Sequence, residues 1–152
     1  KSILITNPYF IPDEHMITAL LKAAARGVRV VVLVPARSDF KITYRASRSH
    51  YGEMLLGGIE IFEYSPALLH SKTMVVDGVW ATVGSTNFDN RSFALNEELN
   101  VGVYDPHVAQ NLAEMFAADL KRSKKVTYEE WQARGLKEKF FELFAFPVEE
   151  QL

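Results

Sequence analysis

Five side chains able to handle a phosphate, His70, Lys72, Ser85, Asn87 and Glu98, fall within one stretch of fewer than thirty residues, HSKTMVVDGVWATVGSTNFDNRSFALNEE. It reads as a strand, a glycine turn, a second strand and a polar loop. Side chains alternate faces along a strand, so His70 and Lys72, two apart, point the same way. An imidazole attacks phosphorus or hands a proton to a leaving oxygen, and an ammonium beside it offsets charge on the non-bridging oxygens. Ser85 and Asn87, also two apart and just past a strand end, are placed to donate hydrogen bonds to the same oxygens. Gly84 to Asn87 also makes a chemically sensible turn.

Asp77 lies an odd number of residues from His70, so in a regular strand it faces away from the imidazole. Parity therefore gives it a structural role, bonding to nearby backbone or to Arg91. Arg91 and Ser92 read as loop anchors. The whole pattern, HxKxxxxD, six residues, then GSxN, fixes His70, Lys72, Asp77, Gly84, Ser85 and Asn87. With each type at about one in twenty, a chance match at a given start is roughly one in tens of millions.

That pattern is the HKD signature of the phospholipase D superfamily, and the longer run GSTNFDNRSFALNEELNVGVYD resembles the second HKD region of bacterial cardiolipin synthases. The resemblance extends from the NPYFIP opening to about Tyr104. It implies a phospholipase D fold and a catalytic set of His70, Lys72, Asp77 and Glu98, with Ser85 and Asn87 on the substrate phosphate. The family pattern places a carboxylate at Glu98 to hold the histidine's second nitrogen, which fixes the tautomer and stabilises the imidazolium. A one-residue change of register puts Glu97 there instead.

In-line displacement needs a nucleophile on one side of phosphorus and an acid on the other, so one copy of the motif is half a site. The resemblance implies that the other half is a second HKD domain in the parent chain or a homodimer mate. It further implies phosphatidyl transfer between two phosphatidylglycerols through a phosphatidyl-histidine intermediate, with His70 as the acid/base partner. The competing readings are a phospholipase D-like hydrolase or nuclease acting as a homodimer, and a non-catalytic lipid-binding module.

A chain of 152 residues is one domain's worth, and 48% hydrophobic with 24% charged residues is the composition of a globular protein. A formal net charge of −2 disfavours a surface built to grip nucleic acid. The absence of cysteine excludes disulfides, thiolate nucleophiles and cysteine-based metal sites. The spacing of His15, His50 and His107 matches no metal-ligand pattern, so neither metal nor cofactor is expected. No apolar run reaches the roughly 18 to 20 residues that span a bilayer. The chain opens on Lys1 and enters strand-like sequence almost at once, which reads as a soluble piece of a longer protein. The resemblance places that parent at a bacterial cell membrane, with phosphatidylglycerol and the membrane surface as partners.

The elements that must position these residues read as an α/β fold, an α-β-α sandwich on a mixed sheet. Ser2 to Thr6 is a strand. Asp13 caps a helix with Met16, Ile17, Leu20, Leu21 and Ala24 on one face, stopped by Gly27. Val28 to Val34 is a strand covered on both sides, so the opening is β-α-β. A helix from Phe40 to Leu56 carries Lys41, Arg45 and Arg48 on one face, which is either a solvated surface or a second anion site. Strands follow at Ile59 to Tyr64, His70 to Val76, Trp80 to Val83 and Glu98 to Tyr104. Asp105 and Pro106 open a helix whose stripe of Val108, Leu112, Met115, Phe116 and Leu120 is expected in the core. Residues 1–126 then form the phospholipase D-like half-domain, and 127–152 a helical extension of it. The extension holds a short helix capped by Thr127 and containing Trp131, then an aromatic helix from Leu136 to Phe146, next to the basic cluster Lys121, Arg122, Lys124 and Lys125. Such a pairing suits a membrane interface or packing on the domain itself.

Overall fold

The computed structural model describes residues 1–37 and 41–135, with the backbone alone at 41–43 and 45. In chain order the elements are β1 (Ser2–Thr6), α1 (Glu14–Ala25), β2 (Arg29–Pro35), α2 (Lys41–Ser49), α3 (Tyr51–Leu56), β3 (Glu60–Tyr64), β4 (Thr73–Val76), β5 (Trp80–Gly84), α4 (Asn90–Ala94), β6 (Asn100–Tyr104), α5 (Pro106–Leu120), β7 (Ser123–Val126) and α6 (Tyr128–Gln132). The strands make one sheet in the order β6-β5-β4-β1-β2-β3-β7. β1, β2 and β3 are parallel, and every other neighbouring pair is antiparallel.

The sequence of β2 explains the layers. Val30 to Val34 is a continuous β-branched and leucine run, all of it buried, so both faces of the sheet must be covered there. On one face Ile5, Val30, Val32, Val34 and Ile61 pack with Ile17 and Leu20 of α1 and Tyr51 and Met54 of α3. On the other, Val31, Leu33 and Tyr64 meet Phe116 of α5, and Val75 and Ala81 meet Ala109. Side-chain caps set the helix starts: Met16 N donates to Asp13 at 2.7 Å, His107 N to Asp105 at 2.7 Å, and Glu130 N to Thr127 at 3.2 Å.

Several sequence expectations shift. The helix expected over Phe40 to Leu56 is two helices, broken at His50. The basic run after α5 includes a strand, β7, which pairs with β3 as a sheet edge, where lysine side chains can reach solvent. In α5, Phe116 is buried, but Val108 and Met115 are exposed, because the helix turns that flank away from the sheet. Strands β4 and β6 begin at Thr73 and Asn100, so His70, Lys72 and Glu98 lie in the segments leading into them.

Arg48 does not contribute to an open anion face. It is half-buried, donates to Tyr44 Oη at 2.8 Å and pairs with Glu63 of β3. The side chains of Lys41 and Arg45 fall outside the described residues, as does the aromatic helix expected over Leu136 to Phe146. Within the described part of the extension, α6 lays Trp131 against Gly52, and its indole Nε1 donates to Arg48 O at 3.1 Å.

Gly84 ends β5 where β6 begins. A Cβ there would fall on the Leu99 carbonyl and stand 2.7 Å from Asn100 Cα, so the two strands would have to part. Gly84→Ala is expected to cost about 1–3 kcal/mol, as overpacked sites do, read as a lower denaturant midpoint of the 152-residue chain at unchanged m-value.

Candidate active site

The strand directions bring His70, Lys72, Ser85, Asn87 and Glu98 to one edge. β1, β2 and β3 end there, β4 and β6 start there, and β5 ends there. Asn7 follows β1, His70 and Lys72 precede β4, Ser85 and Asn87 follow β5, and Glu98 precedes β6. The edge beyond the carboxyl ends of parallel strands is where open α/β sheets place ligands.

Leu69 explains the pose of His70. The chain crosses from β3 to β4 over this edge, and Leu69 anchors it in the core formed by Val31, Leu33, Tyr64 and Phe116. His70, next in sequence, is exposed, with the ring of Tyr9 edge-on to the imidazole at 6.0 Å between centroids. Lys72 is half-buried and its Nζ donates to the His70 backbone carbonyl at 3.0 Å, which ties the lysine side chain to the segment that carries the imidazole.

The loop after β5 is tightly held. Leu99 N donates to Ser85 Oγ at 3.0 Å, and Ser85 N donates to Leu99 O at 3.0 Å, so the serine hydroxyl helps join β5 to β6. Asn87 Nδ2 donates to Ser92 Oγ at 3.3 Å, and Asn87 Oδ1 is buried with no hydrogen-bond partner among the described residues. Ser92 N donates to the buried Asp89 at 2.6 Å, which caps α4. Ser92 is thus an anchor, and it anchors the asparagine.

Asp77 sits at the opposite edge of the sheet. Four residues of β4, about 13 Å, separate it from the edge that carries His70 and Lys72. It adopts φ +55° in the turn with Gly78, φ +67°, and its carboxylate accepts from Ser2 N at 2.7 Å. The backbone partner expected for it is there, whereas Arg91 is not among its partners in the described residues. Asn7, Tyr9 and Asp89 belong to this region without having been singled out. An asparagine before a proline at the end of a buried strand was the one available signal for Asn7, and nothing in the spacing marked Asp89.

Beside Lys72 a cavity of about 220 Å³ opens on the sheet face that α5 does not cover. Met74, Trp80, Phe88 and Phe93 make its walls largely apolar. His15 and His50 line a separate cavity near the start of α1, and His107 lies at the start of α5, next to the far end of β6.

Residues 1–120 match the family model described as cardiolipin synthase, PLD-like domain. The chain belongs to that family. Cardiolipin synthase of Geobacillus sp. (strain WCH70) is 46% identical over 136 residues, covering 90% of this chain and 27% of the relative. Probable cardiolipin synthase YwiE of Bacillus subtilis (strain 168) is 43% identical over 145 residues, covering 95% and 29%. The chain thus spans less than a third of the length of these relatives. Among solved structures, the phospholipase D family member Nuc of Salmonella typhimurium superposes with a TM-score of 0.71 at 23% identity, covering 84% of this chain and 82% of that one, which shows the shared α/β fold.

In this cardiolipin synthase-type domain, electrostatics converge on Lys72. Burial pushes its ammonium below the ordinary lysine range, and the charges of Glu98 and Asp89 act in the opposite direction. Burial also raises the carboxyl of Asp89, Glu98 adding to the rise, while its bonds from Ser92 and the charge of Arg91 oppose it. Glu98 therefore acts on the lysine, and no hydrogen bond joins it to His70 among the described residues.

Two outcomes follow for the full-length parent protein. Glu98→Gln removes a charge that favours the ammonium, so Lys72 should lose its proton at lower pH and the alkaline limb of the kcat/KM profile should move down. An unmoved limb would detach Lys72 from that limb. Asp77→Gly keeps the left-handed backbone and should leave kcat within about threefold of the unaltered protein, because the carboxylate is a strand's length from His70 and Lys72.

Proposed function

We propose that this chain is one catalytic half of a phosphatidyltransferase that makes cardiolipin from two phosphatidylglycerols. The observation that carries the reading is a half-buried ammonium, Lys72, on the wall of an apolar cavity of about 220 Å³, with its Nζ bonded to the carbonyl of the exposed His70. A phosphodiester flanked by glycerol and acyl chains matches apolar walls next to the charge. A polynucleotide, flanked by further phosphates, would call for a basic track, and the net charge of −2 gives no sign of one.

The chemistry runs in two displacements. In the first, an imidazole nitrogen forms a bond to phosphorus as the bond from phosphorus to the glycerol headgroup oxygen breaks, and a second imidazole gives that oxygen a proton. In the second, the hydroxyl of another phosphatidylglycerol loses its proton to that second imidazole, bonds to phosphorus and displaces the first. Lys72 and the Asn87 amide offset charge on the non-bridging oxygens, and Ser85 lies at the rim of the same edge. His70 takes the acid/base role, and the nucleophilic histidine comes from a second HKD domain in the parent or from a partner copy. The parent works at a bacterial membrane, where its substrates reside. Among the described residues no helix is long and apolar enough to cross a membrane.

The test is mass spectrometry of the full-length parent trapped with phosphatidylglycerol, together with analysis of its lipid products. The phosphatidyl adduct is expected on a histidine of the other half, and His70→Ala is expected to lower cardiolipin formation by at least about 10³-fold. An adduct on His70 itself would reverse the role assignment. Phosphatidic acid in place of cardiolipin would mean that water, not a lipid hydroxyl, completes the reaction.

A further inference from the structure

We propose that Asn7 is the positioning residue of this site, a single buried carboxamide that fixes the loop carrying Asn87 and the segment carrying Tyr9. Asn7 is 1% exposed, and its backbone N–H is anchored to Leu33 O of β2 at 3.1 Å. Its side chain reaches three backbone groups. Oδ1 accepts from Tyr9 N at 3.1 Å and from Phe88 N at 3.3 Å, and Nδ2 donates to Thr86 O at 3.4 Å.

Those partners bracket the chemistry. Thr86 O and Phe88 N belong to the two residues that flank Asn87, so one amide grips the chain on both sides of it. Tyr9 carries the ring that stands edge-on to His70. Adjacent contacts stiffen the same junction: Ile11 N donates to Phe88 O at 2.7 Å, and the Phe10 and Phe88 rings lie 5.3 Å apart. Only a carboxamide supplies both the double acceptor and the donor that this junction uses. The end of β1 thereby determines where Asn87 stands relative to His70, a relation that displacement at phosphorus depends on to a fraction of an ångström.

The inference rests on the proposed function only in taking Asn87 and His70 as groups that meet the phosphate. Its test is a double-mutant cycle in the full-length parent, with Asn7→Ala and Asn7→Asp each made alone and with Asn87→Ala. Turnover is followed on phosphatidylglycerol vesicles and on bis(p-nitrophenyl) phosphate, with circular dichroism and a thermal midpoint for each variant. Asn7→Asp keeps both acceptor bonds and loses the donor, so it carries the test where Asn7→Ala does not fold.

Alone, each folded variant is expected to lower kcat by about 10- to 100-fold with KM within about threefold, and in the Asn87→Ala background to cost less than about threefold. Equal losses in both backgrounds, an unchanged kcat, or failure of both variants to fold would each make Asn7 an ordinary scaffold residue and overturn the proposal. No cardiolipin from the unaltered parent, with the cycle still non-additive on bis(p-nitrophenyl) phosphate, would refute the proposed substrate and leave the role of Asn7 standing.

Discussion

Strand β4 runs against β1, in register from Ile3 opposite Val76 to Thr6 opposite Thr73, and the position of His70 and Lys72 depends on that reversal. Three parallel strands finish at one edge of the sheet. To reach β4 from β3, the chain crosses the ends of β2 and β1 along that edge, and it then enters the sheet downward. Had β4 joined parallel to β1, the crossing segment would have had to travel to the other edge. The imidazole would then have gone with it, away from the loop after β5. The crossing is held by Leu69, whose burial among Val31, Leu33, Tyr64 and Phe116 leaves the next residue facing outward.

The charged groups at this edge act on one another, with burial outweighing the two carboxylates at Lys72. Half-burying an ammonium is unfavourable unless opposite charges lie near it. Glu98 and Asp89 provide those charges from two different loops. Asp89 also accepts from Ser92 N, and Ser92 Oγ accepts from Asn87. One buried carboxylate thus serves a helix cap, a lysine's charge and, at one remove, an asparagine's orientation. Such sharing leaves little freedom for the groups to drift independently.

Much of this arrangement was legible in the sequence. Residue types and spacing picked out His70, Lys72, Ser85, Asn87 and Glu98, and hydrophobic runs with caps gave the β-α-β opening and α5. The parity argument assumed that the strand starts at His70, whereas β4 starts at Thr73. Asp77 nonetheless stands away from His70, at the other end of the strand. β7 escaped notice because Ser-Lys-Lys-Val has no apolar alternation, and only its pairing with β3 makes it a strand. Asn7 escaped because its partners Thr86 and Phe88 are about eighty residues away, a juxtaposition that local pattern cannot express.

The turn at Asp77 and Gly78 bears on how such chains are recognised. A signature that counts histidine, lysine and aspartate as equals mixes two kinds of information. The first two positions stand at the edge shared with Ser85, Asn87 and Glu98, while the third reports on a backbone of positive φ tied to Ser2. The two kinds of position lie at opposite ends of β4 and can change independently of one another. A chain without the histidine and lysine would still have a use for the aspartate wherever it had to make this turn. A chain with glycine there would keep the left-handed backbone and yet drop out of any search that insists on all three letters.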